Sequence, residues 1–240
     1  MLGLPDGIRA CLFDMDGVLT ETATVHARAW KSMFDDYLRR RDGDDFKPFT
    51  QDDYDEYVDG KPRYDGVESF LVSRGIELPQ GSPSDSPSAE TIDGLGNRKN
   101  DLVLEIIHAE GVTPFPGSVR YVKAVREAGL CTACVSSSAN AGEVLEAAGI
   151  RDLFEKLVDG HVVEDEGLKG KPAPDTYLRA AEELGASAAE AAVFEDALSG
   201  VEAGRAGSFG FVVGVDRGGQ SDALEQHGAT VVVEDLAELL

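Results

Sequence analysis

Asp14 and Asp16 stand two residues apart at the end of an apolar run, Ala10-Cys11-Leu12-Phe13, and Gly17 follows at once. Two acids at that spacing suit phosphoryl transfer. One carboxylate attacks phosphorus, the other handles a proton, and a divalent cation offsets the negative charge that collects around them. The apolar run reads as a buried strand, and Gly17 marks the point where the chain must turn. Side chains alternate along a strand, so the two acids are expected to share a face if extended geometry persists. They would then sit at a strand's carboxyl end, where open α/β sheets hold their ligands. Asp and Gly are also common in the turn after any strand, so the pair alone does not separate catalysis from a turn.

Three later stretches have a comparable build. Thr132-Ala133-Cys134-Val135 runs into Ser136-Ser137-Ser138, and Gly170-Lys171-Pro172-Ala173-Pro174-Asp175 places a lysine between glycine and prolines. Ala191-Ala192-Val193-Phe194 ends in Glu195-Asp196, with Ser199-Gly200 behind it. Together with Asp14-Met15-Asp16-Gly17-Val18, these four segments, in this order, resemble the motifs of the haloacid dehalogenase superfamily. The resemblance implies that Asp14 is the nucleophile, Asp16 the acid–base group, Ser136 the phosphate-binding hydroxyl and Lys171 the cation beside the nucleophile. It also implies Mg²⁺, with Asp14, Asp16, Glu195 and Asp196 as its ligands. The chemistry is coherent, because a carboxylate approaching a phosphate dianion needs positive charge nearby and a donor for the phosphate oxygens. Singly, Lys171 would also suit a surface turn, the serines a helix N-cap, and Glu195-Asp196 a solvated turn. Asp175 is expected to N-cap a helix over 176–184.

The elements that position these residues follow from periodicity. From residue 116 onward, helical stretches at 118–128, 142–148, 176–184 and 201–206 alternate with apolar strand-like runs at 132–135, 191–194, 211–215 and 230–233. That alternation predicts a Rossmann-like, doubly wound parallel sheet covered on both faces. Residues 22–113 instead show helical spacing at 25–39, 64–74 and 95–109, with Val25, Ala29, Trp30, Met33, Phe34 and Tyr37 along one stripe. The expected organisation is an α/β catalytic core from 1–21 and 114–240, with an inserted all-helical cap at 22–113. The proline- and serine-rich run at 79–88 reads as a flexible surface loop.

An inserted helical block of this kind resembles the C1-cap branch of the superfamily, and the β-phosphoglucomutase-like subfamily in particular. The match rests on the segment from Thr20 to Trp30, on Gly60-Lys61-Pro62-Arg63, on Arg98-Lys99-Asn100-Asp101 and on Ser136-Ser137-Ser138-Ala139-Asn140. It implies that Thr22, His26, Arg63, Lys99, Asn100, Ser137 and Asn140 bind substrate, with Arg63 on the non-reacting phosphate. The implied reaction converts β-glucose 1-phosphate to glucose 6-phosphate. The alternatives are a phosphatase of small sugar or polyol phosphates and a catalytically inactive binding module. Ala139 departs from the subfamily, which often has lysine there. His26 would also suit the border of an apolar interface, and Arg63 the start of a surface helix.

Composition narrows the partners. The 240 residues carry 45 acidic and 22 basic side chains, a formal charge of −23. That balance argues against nucleic acid and anionic membranes, whereas a small sugar phosphate needs only a few local cations. The acidic runs Asp42-Gly43-Asp44-Asp45 and Asp52-Asp53-Tyr54-Asp55-Glu56 lack metal-ligand spacing and read as solvated surface. No apolar stretch reaches membrane-spanning length. The N-terminal residues lack the build of a secretory signal, and the three cysteines suit reduced, buried thiols. A cytoplasmic monomer is the expectation.

Overall fold

The computed structural model describes residues 2–240. In chain order the elements are β1 (Ala10–Phe13), α1 (Thr22–Asp42), α2 (Gln51–Asp53, continued as a wide π turn over Tyr54–Val58), α3 (Arg63–Ser73), α4 (Ile92–Glu110) and α5 (Pro116–Glu127). There follow β2 (Cys131–Val135), α6 (Ala141–Ala147), β3 (Lys156–Val158), α7 (Gly160–Glu166) and α8 (Asp175–Glu183). The chain ends with β4 (Ala191–Glu195), α9 (Leu198–Ala206), β5 (Phe211–Val215), α10 (Ser221–His227) and β6 (Val231–Val233). These separate into two compact units, 1–21 with 112–240, and 22–111.

The first unit is a six-stranded parallel sheet of order β3-β2-β1-β4-β5-β6. The chain winds outward from β1 through β2 to β3, then returns to β4 on the other side of β1. The carboxyl ends of β1 and β4 therefore flank the point where strand order reverses, the place for a ligand in such sheets. All four residues of β1 are buried because helices cover both faces. Ala10 and Leu12 enter a core with Val193, Val201, Ala180 and Tyr177. Phe13, on the opposite face, stacks on Phe194 at 4.4 Å between ring centroids and meets Tyr121 edge-on at 6.3 Å.

The second unit is helical. On α1, Trp30, Met33, Phe34, Tyr37 and Leu38 point into a core shared with Val67, Phe70 and Leu71 of α3 and with Ile92 and Leu95 of α4. Phe34 lies 4.2 Å from Phe70 and 5.3 Å from Trp30, so aromatic packing supplies much of this core. No helix among the described residues is long and apolar enough to cross a membrane.

Several elements differ from the sequence reading. β3 is a three-residue edge strand, too short to show a period. α7 has no buried residue and α10 only Leu224, so neither presents an apolar stripe. Asp175 is the first residue of α8 rather than its cap: Pro174 precedes the helix, and the Asp175 carboxylate turns back to accept from Lys169 N at 3.1 Å. Residues 112 and 113 group with the α/β unit, where Thr113 O accepts from Glu21 N at 3.0 Å. The 79–88 loop is strapped by hydrogen bonds instead of standing loose.

Candidate active site

Strand register brings the first acids together. Phe13 stands opposite Phe194 across the β1–β4 pair, and Asp14 N donates to Phe194 O at 3.0 Å. The next residues, Asp14 and Glu195, therefore emerge side by side at the carboxyl ends of two central strands. β2 ends one strand over, and Ser136 N bonds to Val158 O at 2.9 Å to hold that corner.

Lys171 ties the acids to one another. Its Nζ lies 2.5 Å from both Asp14 Oδ1 and Glu195 Oε1, and 3.4 Å from Val135 O. Glu195 is fully buried; its Oε1 also accepts from Tyr177 OH at 2.8 Å, and its Oε2 accepts from Ala197 N at 3.1 Å. Burial pushes the Asp14 carboxyl well above the usual carboxylate range; Lys171 opposes that shift, while Glu195 and Asp16 add to it. For Lys171, burial favours the neutral amine, but Asp14 and Glu195 outweigh it and hold the ammonium protonated.

Asp14, Glu195 and Asp196 offer carboxylate oxygens that all lie within 4.8 Å of one another, and all three residues are buried. With Lys171 as the cation paired to them, the group is short of positive charge, a costly state in a low-dielectric site. Hard oxygen donors with surplus negative charge fit Mg²⁺. Asp16, expected as a fourth ligand, is not in this group. The reason is local: β1 stops at Phe13, and the chain then coils so that Leu19 N and Thr20 N both bond to Met15 O. The strand alternation that would align Asp16 with Asp14 does not persist.

Glycines make the close approach feasible. Gly17 has φ +86°, and a Cβ there would lie 1.7 Å from Asp196 Oδ2. At Gly200 a Cβ would lie 1.8 Å from Glu195 Oε1.

The remaining expected residues fall in two places. Ser136 is buried, and its Oγ accepts from Ser138 N at 3.1 Å; Ser137 and Asn140 are half-buried in the same turn. In the helical unit, Thr22 opens α1, and His26, one turn on, meets Lys99 of α4 with Nδ1 and Nζ 2.8 Å apart. Lys99 is buried with its Nζ 4.8 Å from the Trp30 ring centroid, and Asn100 follows it, half-buried. Arg63 is held separately at the start of α3 by its neighbour Tyr64.

Sequence reasoning missed Tyr177 and Arg217. Tyr177 lies two positions past Asp175 on α8, and a lone tyrosine in a helix announces nothing. Arg217 lies beyond β5, outside any motif. Its Nε donates to Gly17 O at 3.1 Å, its Nη1 to Glu234 O at 2.7 Å, and its guanidinium stacks 3.8 Å over Phe115. It thus braces the loop that carries Asp16. The cysteines are free; burial pushes the Cys11 thiol up to about 12 and raises Cys134 as well, so both are protonated and unreactive.

Known proteins match this chain along most of its length. Residues 8–207 match the family of haloacid dehalogenase-like hydrolases. A β-phosphoglucomutase of Mycobacterium bovis is 56% identical over 247 aligned residues, which span all of this chain and 94% of that one. A β-phosphoglucomutase of Bacillus subtilis is 31% identical over 232 residues, 97% of this chain and 92% of that one. Among solved structures, the β-phosphoglucomutase of Clostridium difficile superposes with a TM-score of 0.77 at 24% identity, over 97% and 93% of the two chains. That last likeness speaks for the fold.

Proposed function

The chain belongs to the haloacid dehalogenase-like hydrolase family, and from that membership we propose that it is a phosphomutase converting β-glucose 1-phosphate to glucose 6-phosphate. The observation that carries this reading is the buried Asp14 carboxylate, pinned by Lys171 beside Glu195 and Asp196, in a chain aligned from end to end with a β-phosphoglucomutase.

Asp14 attacks phosphorus and holds the phosphoryl group as an aspartyl-phosphate. Lys171 keeps the carboxylate in place and offsets its charge, and the Ser136 hydroxyl donates to a phosphate oxygen. Asp16 takes the proton from the sugar's 6-hydroxyl as that oxygen attacks the aspartyl-phosphate, which gives a bisphosphate. The bisphosphate then returns its C1 phosphoryl group to Asp14, and Asp16 hands its proton to the departing C1 oxygen. Asp14, Glu195 and Asp196 would hold Mg²⁺, which when bound neutralises the negative charge gathered around the phosphate.

The helical unit decides the second acceptor. Phosphatase and mutase share the first half-reaction, and a mutase must keep water from the aspartyl-phosphate. Arg63, Lys99 and Asn100 are the proposed ligands of the non-reacting phosphate and the sugar, with His26, Thr22, Ser137 and Asn140 completing the set. A phosphatase of small sugar phosphates is the second reading, since the α/β unit serves both. The test supplies β-glucose 1-phosphate, Mg²⁺ and a trace of glucose 1,6-bisphosphate. Glucose 6-phosphate is expected to accumulate far faster than free phosphate. Release of phosphate without glucose 6-phosphate would overturn the mutase in favour of the phosphatase.

A further inference from the structure

Residues 79–88 form neither helix nor strand, and the proposed reaction gives them no task. They are nonetheless fastened along the start of α4. Pro79 O and Gln80 O accept from Ile92 N and Asp93 N, each at 3.0 Å. Asp85 Oδ2 accepts from Thr91 Oγ1 at 2.6 Å, and Thr91 in turn caps α4 through Gly94 N.

The fastening continues to Arg63. Asn97 of α4 donates through Nδ2 to two loop carbonyls, Pro83 O at 3.0 Å and Asp85 O at 2.9 Å. Because both partners are acceptors, the orientation of this amide is settled by its surroundings. Its Oδ1 accepts from Tyr64 OH at 2.8 Å. The same Tyr64 oxygen accepts from Arg63 Nη2 at 3.0 Å, and the Arg63 guanidinium lies 4.8 Å over the Tyr64 ring. Gly96 leaves the ring its seat, since a Cβ there would come within 2.6 Å of Tyr64 Cδ1. A chain of hydrogen bonds thus runs from the loop through Asn97 and Tyr64 to one guanidinium nitrogen.

We propose that Tyr64 and Asn97 are positioning residues, and that the 79–88 loop is their buttress: together they hold the Arg63 guanidinium ready for the non-reacting phosphate of the substrate. The inference rests on the reading of Arg63 given above. An arginine side chain loses much rotational freedom when it is ordered, so one already ordered binds a phosphate at lower cost. One guanidinium edge is spent on Tyr64, and the other nitrogens remain to fork onto phosphate oxygens.

The experiment is a double-mutant cycle of wild type, Tyr64→Phe, Arg63→Ala and the double variant. Each is assayed with β-glucose 1-phosphate and with acetyl phosphate, whose single phosphoryl group goes to Asp14 and leaves no non-reacting phosphate for Arg63 to hold. Tyr64→Phe keeps the ring and removes only the bridging oxygen. It is expected to raise KM for β-glucose 1-phosphate about five- to tenfold with kcat little changed, and to leave acetyl phosphate turnover and Tm as in wild type. In the double variant it should add nothing to the loss from Arg63→Ala, because its effect passes through that residue. Asn97→Ala should reproduce the KM rise by releasing both tyrosine and loop. If Arg63→Ala lowers kcat/KM for β-glucose 1-phosphate while Tyr64→Phe leaves KM unchanged or lower, or if the two losses add, the positioning role is overturned and the reading of Arg63 stands. If Arg63→Ala is itself silent, that reading falls and takes this inference with it.

Discussion

The α/β unit and the helical unit hold their polar residues by different means. In the α/β unit, Asp14, Ser136, Glu195 and Asp196 sit at or just past the ends of strands, so sheet register sets their places before any side chain is chosen. They are buried, and Lys171 and Tyr177 close onto them at hydrogen-bond distance. In the helical unit the candidate residues lie on three different helices and lean on aromatic rings: Lys99 on Trp30, Arg63 on Tyr64. Bond making requires groups held in place before the substrate arrives. On the proposed reading, recognition falls to cations that rest on aromatic rings, Lys99 on Trp30 and Arg63 on Tyr64.

The first way to break this comparison is to remove the nucleophile. Asp14→Asn should abolish transfer from every phosphate donor, measured by product formation, because the change is nearly isosteric and removes only the attacking charge. It should not lower Tm at neutral pH. The Asp14 pKa is raised in the fold, so ionisation costs stability as pH climbs from the unfolded value of 3.8 toward the folded one, and the amide escapes that cost. Gly17→Ala comes next. Its methyl would collide with Asp196 at a positive φ, and a displacement of about 1 Å in such a site costs on the order of 10²-fold in rate. Normal turnover in that variant would show that the loop has slack the structure does not display.

Smaller effects sharpen the contrast. Tyr177→Phe takes a donor from buried Glu195 and should cost about 1–2 kcal/mol, read by thermal or denaturant unfolding. It should also raise the Mg²⁺ concentration needed for half-maximal activity. The least change to chemistry is expected from Asp53→Asn in the helical unit. Burial raises the Asp53 pKa, but bonds from Thr50 and Arg74 outweigh it, so the net shift is downward. Its stabilisation is therefore present above the unfolded value of 3.8 and lost as pH falls through the folded one. The variant should lose about 1 kcal/mol near neutral pH and none in strong acid, with acetyl phosphate turnover intact.

Much of the α/β unit could be read from the chain because its signals are local. An apolar run followed by an acid at residues 10–14 or 191–196 states both the strand and the group at its end. The stripe Val25, Ala29, Trp30, Met33, Phe34 and Tyr37 likewise named the buried face of α1. What escaped is non-local. Tyr177 meets Glu195 only because α8 packs across β1, β2 and β3, and Arg217 reaches Gly17 from 200 positions away. Alternation was expected to put Asp16 on the face of Asp14, but β1 ends at Phe13 and the chain coils before Asp16 is reached. The 79–88 loop looked loose because its composition is that of a loop, while its restraints come from Thr91, Asp93 and Asn97 on α4.

The division of labour between the two units is tested most directly by following glucose 6-phosphate and free phosphate together, in wild type and in Arg63→Ala, from β-glucose 1-phosphate with Mg²⁺ and a trace of bisphosphate. If the α/β unit does the chemistry and the helical unit selects the acceptor, isomerisation should fall roughly 10²-fold or more. Slow release of phosphate should persist, because water needs no grip on a second phosphate. An unchanged ratio of glucose 6-phosphate to free phosphate, or equal loss of both, would contradict the account.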